Sequence, residues 1–485
     1  MLQFLSRKFG QGVTHVAASV LYSTIEGVAF LFRPYGIAAI LGSEIIVSTI
    51  QNPQRVGKIF AKSIGYIVTG RICLTYIALL RRNQKRYRQS DVLNSIWDWK
   101  PPEDDLLASN TWFVLKELVF TLQKLKEEYP EIETYLSRPE FSPMEMAPRL
   151  YYYLKKQDSV GHDDVKLDES HRALESEEEQ QALMALQELK VFCMFAYDLT
   201  EDDALEKALF EKGYVLLGAR YNADLVKSGS PAFYLAARAA MDGSAHREIM
   251  LCIRGTYSED DVFIDLFAHG MTFGEHGMAH AGMTKAAGYL DGRFGPFFEA
   301  FLNAGGILTI TGHSLGAGVG SLLTLKLIER GIHPDKIRCY AYEPPACMSK
   351  ALAKTSLQSV WSLVNRDDIV PRLGPTPFLN LLHDLSGFDW RKEEDGEMPQ
   401  ILRMLTSLLL KDEADSPPTH STEQPVISTE YDPVVPGRII YACAGKKPIF
   451  IDQCSPILRG LRLSSTMIKD HFIDTDDFGQ ALFSS

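Results

Sequence analysis

The stretch Ile307–Leu327, ILTITGHSLGAGVGSLLTLKL, constrains the fold of this 485-residue chain more than any other. Ile307 to Thr311 are apolar or β-branched and read as a short buried strand. A second apolar run begins near Leu315 and reads as a helix. Between them, Gly312-His313-Ser314-Leu315-Gly316 has the spacing G-x-S-x-G. A serine at a sharp strand-to-helix corner projects its hydroxyl above the sheet, and a glycine two positions either side lets neighbouring backbone approach without a Cβ clash. The N–H groups that open the helix face the place where negative charge develops on a carbonyl attacked by that serine. A tight turn with a capping serine would read the same way, so the rest of the chain must supply a base, an acid and oxyanion donors.

At this length a single ordinary core is exceeded, and more than one domain is expected. Seven cysteines are scattered, odd in number and without any C-x-x-C, which argues against a disulfide framework and a zinc site and favours a reducing, intracellular compartment. The net charge of −12 hides an asymmetry: residues 1–88 carry twelve bases against two acids, a balance of +10 that leaves −22 for the remainder. Three apolar blocks, Val13–Phe32, Tyr35–Ile50 and Val56–Leu80, fill that basic segment, and none is clean. Glu26 and Glu44 interrupt the first two, and Lys58, Lys62 and Arg71 the third. Arg55, Lys58 and Lys62 share one helical face, and Arg81–Arg88 form a polybasic cluster. Helices lying on an anionic membrane surface fit this pattern, with true spans or a packed helical module as alternatives. The start of the chain lacks the order of a signal peptide. No nucleic-acid motif accompanies the basic patch, so no nucleic-acid partner is expected.

Residues 1–100 are thus expected as a membrane-associating region. Residues 101–182 follow as a helical segment (Thr111–Glu128 has helical periodicity) with an acidic linker or solvated helix over Gln157–Gln181. A domain over 183–485 comes last. There a helix over Ala182–Tyr197 precedes paired strands Pro231–Ala237 and Glu248–Ile253, and Lys336–Tyr342 and Ser359–Val364 read as further strands. Arg438–Cys443 and Pro448–Asp452 close as a hairpin around Gly445-Lys446. Strands alternating with helices predict an α/β fold, a mostly parallel sheet with helices on both faces.

On such a fold the acid follows the serine, and the histidine follows the acid. Asp367 and Asp368, just past the strand Ser359–Val364, compete for the acid. His383, His420 and His471 remain for the base, with position favouring His471 after the last hairpin. The N–H of Leu315 is one oxyanion donor. The turn Arg254-Gly255-Thr256, after the strand Glu248–Ile253, offers the N–H of Thr256 as the second.

Taken together these motifs resemble the class-3 (fungal-type) lipases, and within them the sn-1-specific diacylglycerol lipases. The matching pieces are Ile253-Arg254-Gly255-Thr256, His280-Ala281-Gly282-Met283, Gly312–Gly318, Asp368-Ile369-Val370-Pro371-Arg372 and Asp470-His471. The resemblance implies an α/β-hydrolase fold and a catalytic triad of Ser314, Asp368 and His471, choosing Asp368 over Asp367. It also implies a lid over Tyr257–Gly277, with Val262, Phe263, Leu266 and Phe267 as its apolar stripe. It assigns His280 to a motif, so the run His269, His276 and His280 is not expected to bind metal. The acidic, Pro/Ser/Thr-rich insertion 389–435 is shared with diacylglycerol lipases and absent from simple fungal lipases. Animal diacylglycerol lipases also carry four membrane-spanning helices, which this chain does not reproduce.

The expectation is therefore a serine lipase acting on glycerolipids at an intracellular membrane surface, with di- or monoacylglycerol as substrate and no cofactor required. Phospholipase A1-type cleavage, acyl transfer and a catalytically silent scaffold of the same fold are the alternatives.

Overall fold

The structure, a computed structural model, describes residues 143–159, 171–223, 229–238, 248–255, 270–275, 277–393, 431–442 and 446–473. The basic segment 1–88, the helix expected over Thr111–Glu128, Thr256, the apolar stripe of the expected lid, His420 and most of the insertion lie outside the described residues.

The chain divides into two compact units, residues 1–152 with 388–422 and residues 153–387 with 423–485. A helix α1 (Pro143–Ser159) begins in the first. In that unit the Tyr152 ring stacks on Trp390 at 6.2 Å and Tyr151 meets Tyr152 edge-on at 5.4 Å. Trp390, at the start of the insertion, thus packs with residues that precede the α/β unit, an apolar link over long sequence separation.

The second unit opens with strand β1 (His171–Ala173), helices α2 (Glu177–Asp198) and α3 (Asp202–Glu211), and strands β2 (Tyr214–Arg220), β3 (Phe233–Arg238) and β4 (Glu248–Ile253). Strands β5 (Gly270–Phe273) and β6 (Gly277–His280) lead into the long helix α4 (Ala281–Asn303). Then come β7 (Ile307–His313), α5 (Leu315–Glu329), β8 (Ile337–Tyr342), β9 (Met348–Ser349), α6 (Lys350–Ser356), β10 (Val360–Asn365) and α7 (Pro375–Gly387). Strands β11 (Pro433–Val434), β12 (Arg438–Ala442) and β13 (Ile449–Ile451) complete it.

Nine strands form the main sheet in the order β1-β13-β12-β10-β8-β7-β4-β3-β2. Its centre, β4-β7-β8-β10-β12, is parallel throughout, and the flanking pairs are antiparallel. The central strands are buried on both faces, which is why they read as nearly continuous apolar runs rather than alternating ones. One face packs Met250, Cys252, Tyr342 and Leu363 against Leu186, Leu189 and Phe192 of α2. On the other lies α5, whose residues from Leu315 to Leu325 are all buried. A helix apolar on every side must be enclosed on every side, so α5 is sandwiched between sheet and α4.

The end of the acidic run read as a linker or solvated helix belongs to the α/β unit. His171–Ala173 is an edge strand paired to β13, and Glu177, Glu178 and Glu179 are the first turn of α2. Acids there oppose the helix dipole. Glu179 also closes a capping box with Ser176 while pairing with Arg172. The α/β unit therefore includes residues ahead of the expected start at 183. At the end of the segment read as a lid, β5 and β6 form a hairpin in a small second sheet, β11-β9-β6-β5.

Candidate active site

Strands β7, β8 and β10 lie side by side, and each is followed at its C-terminal end by a residue of positive φ: Ser314 (56°), Glu343 (48°) and Arg366 (40°). Among the described residues no other non-glycine residue has such backbone. Each costs on the order of 1–3 kcal/mol, a cost that persists only where surrounding structure enforces it. Three such kinks at one edge of the sheet mark the site.

At the first kink Ser314 caps α5 with φ 56° and ψ −129°, its backbone N–H donating to the Tyr342 carbonyl at 2.9 Å. A Cβ at Gly316 would overlap the carbonyl oxygen of Ile253, so the second glycine of the motif lets the helix start press against the end of β4. From this corner Ser314 Oγ lies 2.9 Å from His471 Nε2. His471 Nδ1 is 3.0 Å from each Asp368 carboxylate oxygen. A carboxylate can only accept there, so Nδ1 carries the proton and Nε2 is left to accept from the serine hydroxyl. All three residues are buried.

Two loops hold this relay. After the β10 kink, Asp368 Oδ1 accepts the Val370 N–H at 2.9 Å, and the buried Arg372 guanidinium donates to the carbonyls of Arg366 and Asp368. His471 ends a one-turn 3₁₀ helix, Lys469–His471. The loops are tied where Asn365 Nδ2 donates to the Asp470 carbonyl (2.9 Å) and where the Asp470 carboxylate accepts from the Asp367 N–H (3.3 Å) and the Thr466 hydroxyl (2.7 Å). Burial first, with Asp367 nearby, pushes Asp470 up to about 6 against the opposing pull of Thr466 and Arg366. Burial also pushes Asp368 upward, but His471, a hydrogen bond from Glu343 and the Val370 N–H outweigh it and hold the carboxyl below its ordinary value.

The sequence ambiguities resolve geometrically. Asp367 turns to Arg462 at 3.3 Å, away from His471, and His383 lies within α7. His280 caps α4, accepting the Met283 N–H at 3.2 Å, while His269 and His276 lie outside the described residues. Leu315 supplies the first N–H of α5, one of those a helix leaves without an internal acceptor. Thr256 lies outside the described residues, but Gly255 before it packs tightly on the elbow. A Cβ there would lie 2.6 Å from the His313 carbonyl and 3.0 Å from Ser314 Cβ.

Three participants escaped sequence reasoning. His313 is buried and held to about 3 by that burial and by its neighbour His471, so it is neutral. Its Nε2–H donates to the His471 carbonyl at 2.8 Å, and its Nδ1 accepts from the Tyr197 hydroxyl at 2.9 Å. Tyr197 in turn accepts the Gly255 N–H at 3.1 Å. A hydrogen-bonded chain thus runs from the turn after β4 to the backbone of His471. The third is Glu343, buried at the β8 kink, whose Oε2 accepts the Asn365 N–H at 3.0 Å. A histidine in an otherwise apolar strand was a readable signal. Tyr197 and Glu343 carried none.

The parallel block, the strand-to-helix serine and the relay define an α/β-hydrolase fold with a serine–histidine–aspartate site. Residues 250–378 match the class 3 lipase family, described as lipase (class 3), in agreement with the motif resemblance. Mouse diacylglycerol lipase-beta is 39% identical over 144 residues, which are 27% of this chain and 21% of that protein. Human diacylglycerol lipase-alpha is 31% identical over 157 residues, 29% of this chain and 14% of that protein. The chain thus spans about a fifth or less of these relatives. The crystal structure of a lipase from Rhizopus microsporus var. chinensis aligns with 66% of this chain and 95% of its own, at 15% identity and a TM-score of 0.42.

Proposed function

We propose that this chain is a serine ester hydrolase that cleaves acyl esters of glycerolipids, di- or monoacylglycerol, at an intracellular membrane surface through an acyl-enzyme. The carrying observation is the continuous relay Ser314–His471–Asp368, with contacts of 2.9 and 3.0 Å, at the C-terminal edge of a parallel sheet. His471 takes the Ser314 proton as Oγ attacks the acyl carbonyl, and Asp368 holds the imidazole tautomer and stabilises its cation. The Leu315 N–H, with that of Thr256, stabilises the tetrahedral oxyanion. His471 then returns its proton to the departing glycerol oxygen, and water attacks the acyl-enzyme by the same relay to release the fatty acid. None of these steps calls for a cofactor. The glycerolipid class is carried by the family match and by the names of the relatives. Among the described residues no helix is long and apolar enough to cross a membrane, and the membrane reading rests on the basic segment 1–88.

A fluorophosphonate probe on the full chain should label Ser314, and Ser314→Ala should abolish labelling and lower turnover by a factor of about 10⁴ or more. Absence of label on the wild type would mean a silent scaffold. A panel of diacylglycerol, monoacylglycerol and phosphatidylcholine should give its fastest release from one of the neutral glycerides. Faster release from the phospholipid would move the assignment to phospholipase A1-type cleavage.

A further inference from the structure

We propose that Glu343 is a positioning residue for the relay, a carboxylic acid that keeps its proton and donates it as a hydrogen bond to Asp368, fixing that carboxylate on His471. The proposal rests on the esterase reading above. Its ground is the middle kink of the sheet edge. Glu343 follows β8, between the strands that carry Ser314 and lead to Asp368, and adopts φ 48°, a conformation glycine would enter without strain. It is fully buried. A bulky acid kept at a strained, buried position calls for a partner that stabilises it there.

That partner is unusual. Oε2 accepts the Asn365 N–H, while Oε1 is buried with no donor among the described residues to accept from. The neighbouring side chain with which Glu343 forms a hydrogen bond is the Asp368 carboxyl, another acceptor when ionised. Such a contact exists only if one of the two acids carries a proton. Asp368 already receives His471 Nδ1–H and the Val370 N–H, both of which favour its ionised form. Glu343 receives one N–H, so the proton resides on Glu343. Burial first, then the charge of Asp368 and the hydrogen bond to it, with Asp470 contributing, push Glu343 well above the ordinary carboxylate range. The cations nearby are directed elsewhere: Arg366 lies 3.9 Å from Asp470, and Arg372 donates to backbone carbonyls. Asp368 meets Nδ1 with both oxygens at equal distance, so an added donor on the carboxylate limits its rotation about that contact.

Two variants of the full chain test this. Glu343→Gln keeps a donor toward Asp368 and an acceptor for Asn365, whereas Glu343→Leu keeps bulk and loses both. On a soluble short-chain ester, Glu343→Gln should stay within about threefold of wild type, while Glu343→Leu should lose about ten- to a hundredfold in kcat with little change in KM, the worth of one hydrogen bond to a charged group. The wild-type rate should fall on the alkaline side as Glu343 ionises against Asp368, and that fall should be absent in Glu343→Gln. A second readout needs no activity. The native state holds a proton that the unfolded chain has already released, so stability falls as pH rises toward the folded-state pKa. Above the ordinary glutamate value of about 4.3, wild type should lose up to about tenfold in its folding equilibrium per pH unit relative to Glu343→Gln. Equal kcat and pH profiles for Gln and Leu variants, or parallel stability curves for wild type and Glu343→Gln, would overturn the proposal. Divergent stability curves in a wild type that hydrolyses no ester would support the shared proton and overturn the esterase reading instead.

Discussion

Asp367 and Asp368 are adjacent, both buried, and chemically identical, yet one pairs with Arg462 and the other with His471. Asp368→Asn should lower turnover by about 10⁴-fold, since an amide at that place favours the wrong imidazole tautomer. Asp367→Asn should leave turnover near wild type and show itself in the denaturant midpoint through loss of the Arg462 pair. Steady-state kinetics on a soluble ester separate the two. Tyr197 acts at one remove. Tyr197→Phe takes the donor from His313 Nδ1 and leaves the Gly255 N–H without its acceptor, a buried loss of about 1–3 kcal/mol. Stability should drop by that amount and kcat should fall with it, because the same hydroxyl links the turn after β4 to the His471 carbonyl. Sequence could narrow the acid to two neighbours but not choose between them, because adjacent residues in a turn share composition and differ only in direction. Motif resemblance made that choice at Asp368, and geometry makes it again. Glu343 and Tyr197 stayed hidden because their roles depend on what three separate strands bring alongside them.

Elements were legible in proportion to their burial. β7, β10 and β12 announce themselves as apolar runs because the parallel block leaves them almost no wet face. β2 did not, since it lies at the sheet edge with Val215 and Leu217 exposed and a bulge between Leu216 and Gly218 that breaks alternation. β1 was masked by acids that serve the next helix rather than a linker. The two loops that carry Asp368 and His471 are irregular, and their register is held by Asp470, which receives hydrogen bonds from both sides. Its carboxyl is raised to about 6, so it favours its protonated form in the fold. The stability this contributes is present below the ordinary carboxylate value and lost as pH rises through about 6. Asp470→Asn removes that titration. The variant should therefore gain on the order of 2–3 kcal/mol relative to wild type between about pH 4 and pH 7, read from chemical denaturation at each pH. A constant difference across that range would show that Asp470 holds the loops without titrating.

At the scale of the whole molecule the charge is divided as the roles are. An α/β unit with its site at one sheet edge belongs to a chain of −12, in which residues 1–88 alone hold +10. An anionic bilayer attracts each nearby lysine or arginine by about 1 kcal/mol and repels the acidic remainder. On the proposed membrane reading the basic segment is the one to touch lipid, and the acidic remainder is repelled from the surface. This attraction is screened within roughly 10 Å at 0.1 M salt, whereas burial of the apolar blocks in the bilayer is not, so the two contributions separate by extraction. Surface helices should be released at least partly by high salt or alkaline carbonate, and true spans should require detergent. A variant lacking residues 1–88 retains every residue of the relay and of the main sheet. It should hydrolyse a short soluble ester at a rate close to that of the full chain. Sedimentation with vesicles of phosphatidylserine and phosphatidylcholine should pull down the full chain and leave most of the shortened one in solution. Equal sedimentation of both would place the lipid contact elsewhere in the molecule and reduce the basic segment to a packing role.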